Sequence, residues 1–266
     1  MNLIKLNLKS PDEIEALYRA NQVVAEALQA MAEAAKPGAT TALMDEIGRK
    51  VLEKHGAKSA FLHYPNASKG KPFPATVCTS PNDVIIHGIP SGKTVLMEGD
   101  ILSLDFGAVL GGWVGDSAVT VPIGEVSEVA RRLMSTTRAC LMAAIEKARE
   151  KNWLHDISWA VQELAESEGY GVVTEFVGHG IGRRMHEYPP VPNIGRPWQG
   201  ERVRLQAGMV LAIEPMINAG TPRVEIARDG WAARTADRKL SAHFEHSVAI
   251  TPSGPRILSE WPMKRG

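Results

Sequence analysis

The order in which helical and strand-like patterns follow one another limits most strongly how this chain can fold. A helical pattern begins at Pro11, with Ser10 as its cap. Its apolar residues share one face, and the pattern ends at the Lys-Pro-Gly sequence of residues 36–38. A second helical pattern ends near His55-Gly56. Short apolar or β-branched runs separated by proline, glycine and asparagine then predict strands, which span 75–80, 84–86 and 100–109.

The second half of the chain repeats this order. Helical spacing covers 129–145 and again 157–164, and strand-like runs then continue to about Ile257. Two successive helix-helix-strand blocks predict an α+β fold built from a duplicated unit, although no repeat is visible at the level of single residues. No low-complexity linker separates the halves, and 66–74 has the composition of a surface loop. We therefore expect residues 1–266 to form a single domain.

Composition excludes several classes of function. The chain has 30 basic and 30 acidic side chains, so it has no net charge with which to attract nucleic acid or an acidic membrane. No run approaches the roughly 18 apolar residues of a membrane span, and the N-terminus lacks the apolar region of a signal peptide. Cys78 and Cys140 lie far apart, as is typical of a reduced intracellular protein, and one buried disulfide is the alternative. The sequence predicts a cytoplasmic protein with no membrane partner and no nucleic-acid-binding motif.

Four carboxylates lie where a sequence selected only for stability would not place them. Asp105 interrupts an apolar strand-like run and Glu214 ends another. Asp116 follows a glycine-rich turn, and Glu245 lies between Phe244 and a further apolar run. Burying ionised carboxylates is costly, and neighbouring ones also repel each other. The pattern therefore predicts that something cationic meets these side chains.

A hairpin would bring the two aspartates together. Residues 110–112 are the natural turn between their strands, and a two-residue loop there puts Asp105 and Asp116 on one face as opposite or diagonal neighbours. Side chains at that separation can reach a pair of metal ions roughly 3.5 to 4 Å apart. His179, which lies among glycines, and the two late glutamates are candidates for the remaining ligands. Oxygen ligands with one imidazole suit manganese, iron, cobalt or zinc, and four carboxylates balance two divalent ions.

Each of these residues also has a structural explanation. A single aspartate at a hairpin is more often a turn residue, and Glu214 could simply end a strand. Taken singly, His87, His179 and His186 would more often be structural histidines. The glycines at 178, 180 and 182 do not have the spacing of a phosphate-binding loop. The motifs G-x-S-x-G and H-E-x-x-H are missing, so a serine hydrolase or the common zinc-peptidase helix is unsupported.

The order and context of all five ligand candidates give the chain a resemblance to type I methionine aminopeptidases, which have the pita-bread fold. The resemblance covers nearly the whole chain, and its motifs are Asn82-Asp83-Val84-Ile85-Ile86-His87-Gly88-Ile89-Pro90, Leu104-Asp105-Phe106-Gly107, Gly115-Asp116-Ser117, Gly178-His179-Gly180-Ile181-Gly182, His186-Glu187, Ile213-Glu214-Pro215-Met216 and Phe244-Glu245-His246. The implied fold has two pseudo-duplicated halves, each of two helices and an antiparallel sheet, around a central dinuclear metal site.

The resemblance also implies how two divalent ions would be held. Asp105 would bind one ion, and Asp116 with Glu245 would bridge both. His179 and Glu214 would complete the other ion's ligands. The resemblance does not choose among cobalt, manganese, iron and zinc.

Catalytic roles follow from the same resemblance. His87 and His186 would not bind metal but would donate hydrogen bonds to the substrate and to the developing oxyanion. A hydroxide that bridges the two ions would attack the scissile carbonyl, and Glu214 would shuttle the proton. The free amine of the substrate would lie near Asp105, which implies that only an unblocked N-terminus is cleaved.

The apolar slot for a methionine side chain is where the match departs from the family pattern. The family positions fall on Tyr64, Cys78, Met185 and Trp231. Family members commonly add a second tyrosine and a phenylalanine, whereas this chain offers Phe61 and one tyrosine, and its 66–74 loop is longer than in the shortest relatives. The positions that match a monovalent-cation site are Asn82, Val84 and Ser241.

Taken together, the resemblance predicts a metalloaminopeptidase that removes the initiator methionine from nascent proteins and peptides with a small second residue. Its partners would be polypeptide N-termini, with an association with ribosomes, and it would act as a monomer. One alternative is a proline-specific aminopeptidase of the same fold, which usually has an additional N-terminal domain. The other is a non-catalytic relative that binds RNA or ribosomes, which would normally have lost ligands that this chain keeps.

Overall fold

The computed structural model describes residues 6–66, 70–195 and 202–260. The helices are α1 Pro11–Ala34, α2 Thr41–His55, α3 Glu128–Lys147 and α4 Leu154–Ser167. The strands are β1 Lys58–Ser59, β2 Val77–Pro81, β3 Val84–Ile86, β4 Ile101–Leu110, β5 Trp113–Pro122, β6 Gly171–Val172, β7 Gly178–Gly180, β8 Glu187–Val191, β9 Val210–Ile213, β10 Met216–Asn218, β11 Val224–Ile226, β12 Ala233–Thr235, β13 Ser241–His243, β14 Glu245–Thr251 and β15 Gly254–Ile257. The predicted order of two helices followed by strands, occurring twice, is confirmed.

Local sequence signals set the helix ends. The Ser10 hydroxyl accepts a hydrogen bond from the Glu13 amide, and the Glu13 carboxylate accepts one from the Ser10 amide, so α1 begins with a capping box. The Ser127 hydroxyl caps α3 by accepting a hydrogen bond from the Ala130 amide. Gly56 ends α2 with a φ of +60°, a conformation that glycine adopts at little cost.

One large antiparallel sheet joins the two halves of the chain. Its strand order is β1-β4-β5-β14-β9-β7-β8, with β2 added to β4 and β15 added to β14. Strand β14 pairs with β5 from the first half and with β9 from the second. Helix α1 packs on β4 and β5, and α3 packs on α4. Because β14 lies between strands of both halves, side chains from distant parts of the sequence meet at the centre of this sheet.

Two smaller three-stranded sheets flank the large one, with orders β13-β10-β6 and β11-β12-β3. The second of these joins β3 of the first half to the hairpin formed by β11 and β12. The apolar core lies between the helices and the large sheet, and Leu28, Met31, Leu104 and Leu133 are fully buried in it. None of the described helices combines the length and apolar character needed to cross a membrane.

The stretch 66–74 is not a surface loop throughout, contrary to the prediction. Residues 67–69 lie outside the described residues. Phe73 is only 2% exposed, and its backbone exchanges hydrogen bonds with His63 and Tyr64 at 2.8 and 2.9 Å. Lysine, proline and glycine dominate the composition of this stretch, so one buried aromatic at its end leaves no periodic signal.

Candidate metal centre and substrate pocket

Asp105 and Asp116 lie on the hairpin formed by β4 and β5. The turn consists of Gly111 and Gly112, whose φ angles of +58° and +79° favour glycine and suit a two-residue hairpin loop. Asp105 is opposite Ala118 in this register, so Asp116 is its diagonal neighbour on the same face. The predicted hairpin and the shared face are therefore both present.

The order of strands in the large sheet brings the remaining candidates to the same place. Glu245 is the first residue of β14 and is also opposite Ala118, on the other side of β5. His179 is the middle residue of β7, which pairs with β9. Glu214 directly follows β9. All five predicted ligands thus converge from four neighbouring strands and one strand end.

The imidazole of His179 faces the carboxylates. Its Nε2 lies 3.7 Å from Asp116 Oδ2 and 3.5 Å from Glu214 Oε1. Its Nδ1 donates a hydrogen bond to the Gly180 carbonyl oxygen at 3.0 Å, which leaves Nε2 to point into the site. Asp116, His179 and Glu245 each offer a ligand atom, and these atoms lie within 4.8 Å of one another. This arrangement can hold a metal ion.

The site has a strong excess of buried acidic groups. Burial raises the pKa of Asp105 to about 7. Burial, and after it the charges of neighbouring carboxylates, raises the pKa of Asp116, Glu214 and Glu245 well above the ordinary range. Burial and the nearby His186 lower the pKa of His179 to about 4. Its imidazole is therefore neutral at pH 7, the form that binds metals.

Several carboxylate oxygens of the site have no protein partner. In the described part of the chain, Asp105 Oδ1, Asp116 Oδ1 and Glu245 Oε1 are buried without a hydrogen bond. Within the described ranges, the site carboxylates that form ion pairs are Asp116 and Glu214, and their partners are histidines, not lysine or arginine. Buried acceptors without donors are costly, so the oxygen-rich donor set fits divalent cations.

A cavity of about 230 Å³ opens directly from the carboxylates. One side is acidic and the other is apolar and aromatic. It is lined by Phe61, Tyr64, Pro65, Phe73, Cys78, His87, Asp105, Asp116, His179, Met185, His186, Glu214, Trp231 and Glu245. Every residue predicted to bind the divalent ions, to bind substrate or to act in catalysis therefore borders this one cavity.

The two histidines predicted to contact substrate lie on different elements. His87 follows β3 with a φ of +60°, and its ring packs edge-on against Phe176 and Trp231. The Tyr64 hydroxyl lies 2.6 Å from Nδ1 of His186. The His186 ring is also 4.3 Å from that of His179, centroid to centroid. The second substrate histidine is thus next to a candidate metal ligand.

The apolar wall contains an aromatic residue that the sequence did not reveal. Phe73 packs edge-on against Trp231, with ring centroids 5.2 Å apart. The indole Nε1 of Trp231 donates a hydrogen bond to the Lys71 carbonyl oxygen at 2.9 Å. Phe73 therefore adds a further aromatic ring to the wall that Phe61, Tyr64 and Trp231 form, and its position at the end of a loop-like stretch concealed this role.

His243 is a further buried polar residue beside the site. Its side chain is 2% exposed, and neither ring nitrogen has a hydrogen-bond partner among the described residues. Its Nε2 lies 3.9 Å from Glu214 Oε2, and burial lowers the pKa of His243 to about 3. The only local signal for this residue was its position two residues before Glu245.

The three residues predicted for a monovalent cation lie near one another. The carbonyl oxygen of Asn82 accepts a hydrogen bond from the Ser241 amide at 2.8 Å. Asn82 has a φ of +53°, and Val84 begins β3 two residues later. The backbone at this corner is therefore shared by both halves of the chain.

Comparison with known proteins gives consistent matches. The sequence profile of metallopeptidase family M24 matches residues 15–252. The chain is 47% identical over 252 residues to the methionine aminopeptidase of Clostridium acetobutylicum, covering 95% of this chain and 98% of that protein. The crystal structure of methionine aminopeptidase from Thermotoga maritima superposes with a TM-score of 0.91 at 39% identity, covering 96% of this chain and all of that one. The prolidase of Pyrococcus horikoshii shares the fold alone, with a TM-score of 0.76, 20% identity, and 64% of its longer chain covered.

Proposed function

The chain belongs to metallopeptidase family M24, and from its 47% identity to a methionine aminopeptidase over nearly its whole length we infer that it removes the N-terminal methionine of peptides and proteins in the same way. The structural observation that carries this inference is the cavity that joins four carboxylates, two of them buried and two half-buried, and a neutral histidine to an aromatic wall. An acidic end can receive cations and a substrate amine, and an apolar end can receive a methionine side chain.

We propose that two divalent ions, of cobalt, manganese, iron or zinc, bind at the acidic end. Asp105 would hold one ion, Asp116 and Glu245 would bridge both, and His179 with Glu214 would complete the other. The unpaired carboxylate oxygens support this set, because cations would satisfy them. When bound, such ions act as Lewis acids and lower the pKa of water to near neutrality.

The residues of the chain would then position and protonate the substrate. His87 and His186 would donate hydrogen bonds to the substrate and to the oxyanion that develops on the scissile carbonyl. Glu214 would accept a proton from the attacking water at a carboxylate oxygen and pass it to the leaving amide nitrogen. The substrate amine would lie beside Asp105.

The methionine side chain would occupy the apolar end of the cavity, between Tyr64, Cys78, Met185 and Trp231. All four line the cavity together with Phe73, and together they present aromatic rings and a polarisable sulfur. A second substrate residue would lie close to the carboxylates, so we expect small residues there to be cleaved best.

We also propose a monovalent cation at the corner formed by Asn82, Val84 and Ser241. The contact between the Asn82 carbonyl and the Ser241 amide supports it, since it shows that backbone groups of these segments come together. Potassium or sodium should raise the melting temperature of the wild-type protein. Deleting the Ser241 side chain should leave this effect in place if only backbone carbonyls hold the cation.

For the whole chain we propose a monomeric cytoplasmic enzyme, acting as one catalytic domain on nascent polypeptides at the ribosome. The cavity takes residues from both halves, which supports one catalytic unit. Arg228, Arg234 and Arg238 lie on or beside the β11–β12 hairpin that carries Trp231, and guanidinium groups suit ribosomal RNA phosphates. Arg234 and Arg238 also pair with Asp83 and Glu225, so RNA would have to compete with these carboxylates. Cosedimentation with ribosomes should weaken as salt rises, and further when all three arginines are replaced by glutamine.

A peptide panel tests the proposed activity. Met-Xaa-Ser peptides, Leu-Ala-Ser and Ala-Pro-Ser would be incubated with the metal-loaded enzyme and followed by mass spectrometry. We expect methionine release when Xaa is Gly, Ala, Ser, Thr, Cys, Pro or Val, poor release with Lys, Arg, Leu or Phe, and none from acetylated peptides. Preferential cleavage of Ala-Pro-Ser would indicate the proline-specific alternative, and no cleavage of any peptide would indicate a non-catalytic protein.

A further inference from the structure

The carboxylate of Glu187 is buried and fully engaged, although the mechanism gives it no role. It directly follows His186 in the chain and is 7% exposed. Its Oε1 accepts hydrogen bonds from the backbone amides of Arg183 and Arg184, at 3.0 and 3.2 Å. The carboxylate therefore closes the turn that leads into His186.

The other oxygen connects this turn to the N-terminal segment. Glu187 Oε2 accepts hydrogen bonds from Lys9 Nζ at 2.8 Å and from Asn7 Nδ2 at 2.9 Å. The side chains of Lys9 and Glu187 are both only 3% exposed. A Cβ atom at Gly182 would lie 2.7 Å from Glu187 Oε1 and 2.8 Å from the Lys9 side chain. The backbone at Gly182 therefore packs directly against this ion pair and leaves no room for a side chain.

A buried ion pair is an expensive way to gain stability, because both charges lose their hydration. Its advantage is geometric, since four donors at fixed positions admit one placement of the carboxylate. The backbone on either side of that carboxylate is therefore constrained. The adjacent residue whose placement matters is His186, which lines the cavity and meets Tyr64 at 2.6 Å.

We propose that Glu187, anchored by Lys9, is a positioning residue that fixes the backbone of the 182–187 turn and so aims the His186 imidazole at the scissile carbonyl. The proposal rests on the proposed function, in which His186 donates a hydrogen bond to the substrate. Glu187 does not line the cavity, and the hydrogen bonds of its side chain go to Asn7, Lys9, Arg183 and Arg184; its charge acts on the candidate ligand His179 only through space. Its effect should therefore be on kcat and should depend on the presence of His186.

The first experiment compares Glu187→Gln with wild type. Glutamine has the same shape as glutamate, but its NH2 group cannot accept a hydrogen bond. It would face either Lys9 and Asn7 or the Arg183 and Arg184 amides, so the hydrogen bonds on one of these two sides are lost. We expect kcat for Met-Ala-Ser to fall about tenfold or more, with KM within about twofold and metal content unchanged by elemental analysis. Glu26→Gln is the matched control, because Glu26 is also paired, with Lys54 and His55, but lies at the surface.

A double-mutant cycle separates positioning from a general structural role. His186→Ala would be combined with Glu187→Gln, and we expect the second change to lower kcat by less than about twofold once His186 is missing. An equal fold-loss in both backgrounds would overturn the proposal while leaving the proposed function intact. A wild-type kcat for His186→Ala alone would instead refute the assigned role of His186, and the proposal with it.

Stability gives a second readout if Glu187→Gln folds poorly. The double variant Lys9→Met, Glu187→Met removes both buried charges and should regain a near-wild-type melting temperature. It leaves the Arg183 and Arg184 amides without their acceptor, so kcat should stay low. Recovery of kcat together with the melting temperature would show that the pair is merely structural and would overturn the proposal.

Discussion

The carboxylates of the site lie among one another, and two of them, Asp116 and Glu214, also face histidines. Glu245 and Asp105 raise the pKa of Asp116 after burial itself, and Asp116 in turn acts on Glu214. Without cations such a group can lower its energy only by taking up protons. At the scale of single residues, the site is therefore built for metal binding at the expense of the metal-free state.

His179 and His186 are neighbours that should fail in different ways. His179→Ala removes a nitrogen that lies within 3.5 Å of Glu214, so we expect a loss of metal affinity. His186→Ala should retain near-normal metal content but lose on the order of a hundredfold in kcat, as for an oxyanion donor. Elemental analysis and steady-state kinetics check this, and equal metal contents in both variants would contradict the assignment.

Glu187 should contribute to stability in a way that depends on pH. Burial alone would raise its pKa, but the Lys9 ammonium, the Arg184 amide and Asn7 outweigh burial and hold the pKa below the ordinary 4.5. A depressed pKa means that the contribution is complete above pH 4.5 and is lost as pH falls through the folded-state pKa.

The expected result is that the stability advantage of wild type over Glu187→Gln shrinks as pH is lowered below that value. Urea unfolding of both proteins at a series of pH values measures this difference in the free energy of unfolding. A chelator in all samples keeps both proteins metal-free, so that loss of metal at low pH does not interfere. A gap that stays constant with pH would contradict the assigned ionisation of Glu187.

At the scale of single residues, the sequence predicts which side chains belong to the candidate site better than it predicts which side chains contact each other. Asp105 and Glu214 stand out because an acidic residue in an apolar run has no packing purpose. The partnership of Lys9 with Glu187 does not stand out, because 178 residues separate the two and neither breaks a local pattern. Phe73 was missed for a similar reason, since its packing partner Trp231 comes from the other half of the chain.

At the scale of elements, the β4–β5 hairpin decides the spacing of the first two candidate ligands. A two-residue loop with two left-handed residues fixes the register, and a slip by one residue would turn one aspartate to the opposite face. Of the two turn residues, Gly111 is the better one to substitute, because a Cβ there would meet no atom within 4 Å and would cause only backbone strain, whereas a Cβ at Gly112 would lie 3.2 Å from the Arg183 side chain.

Gly111→Ala should destabilise the protein by about 1 kcal/mol, because alanine is strained at a φ of +58°. Gly111→Asn should cost less, since asparagine tolerates this region better. Gly92→Ala is the matched control: its Cβ would also meet nothing within 4 Å, and its φ lies outside the left-handed range. Urea unfolding checks all three variants, and equal costs at 92 and 111 would argue against strain as the cause.

Helix starts are the elements that the sequence predicts best, because a cap is a local device. Ser10, Pro11 and Glu13 are all within one turn, and α1 begins at Pro11. Strand ends are less well predicted: β2 covers Val77–Pro81 where the sequence indicates 75–80. Pairing with β4, which residue preferences do not encode, decides that boundary.

At the scale of the whole molecule, the proposed ligands tie the two halves together. Asp105 and Asp116 come from the first half, whereas His179, Glu214 and Glu245 come from the second. Metal binding should therefore stabilise the entire fold rather than one segment. At a free metal concentration about a hundredfold above Kd, linkage gives about 2.7 kcal/mol, or a rise of a few degrees in melting temperature.

Calorimetry of the metal-free protein, titrated in turn with cobalt, manganese, iron and zinc, measures this effect. Glu26→Gln should show the wild-type rise, whereas Asp116→Asn should show little, since it weakens a bridge between both ions. A melting temperature that does not respond to any of the four metals would contradict the proposed centre.

The sequence predicts the architecture of each half but not how the halves join. Helical and strand periodicities lie within each element, so the repeated order and the α+β class are visible, and the resemblance adds the pita-bread fold that the structural comparisons bear out. The place of β14 between β5 and β9 depends on hydrogen bonds between segments about 130 and 35 residues apart. No local pattern contains that information.

The hydrogen bond from Trp231 to the Lys71 carbonyl affects how the cavity can change during evolution. Every amino acid supplies the same carbonyl oxygen, so substitutions at position 71 leave the indole its acceptor. A deletion or insertion nearby would move that oxygen while every residue that lines the cavity stayed the same. The position of Trp231 in the cavity wall therefore depends on the length of this loop and not on which residue occupies position 71. Two homologues with identical cavity-lining residues but loops of different length could differ in which substrate side chains they bind.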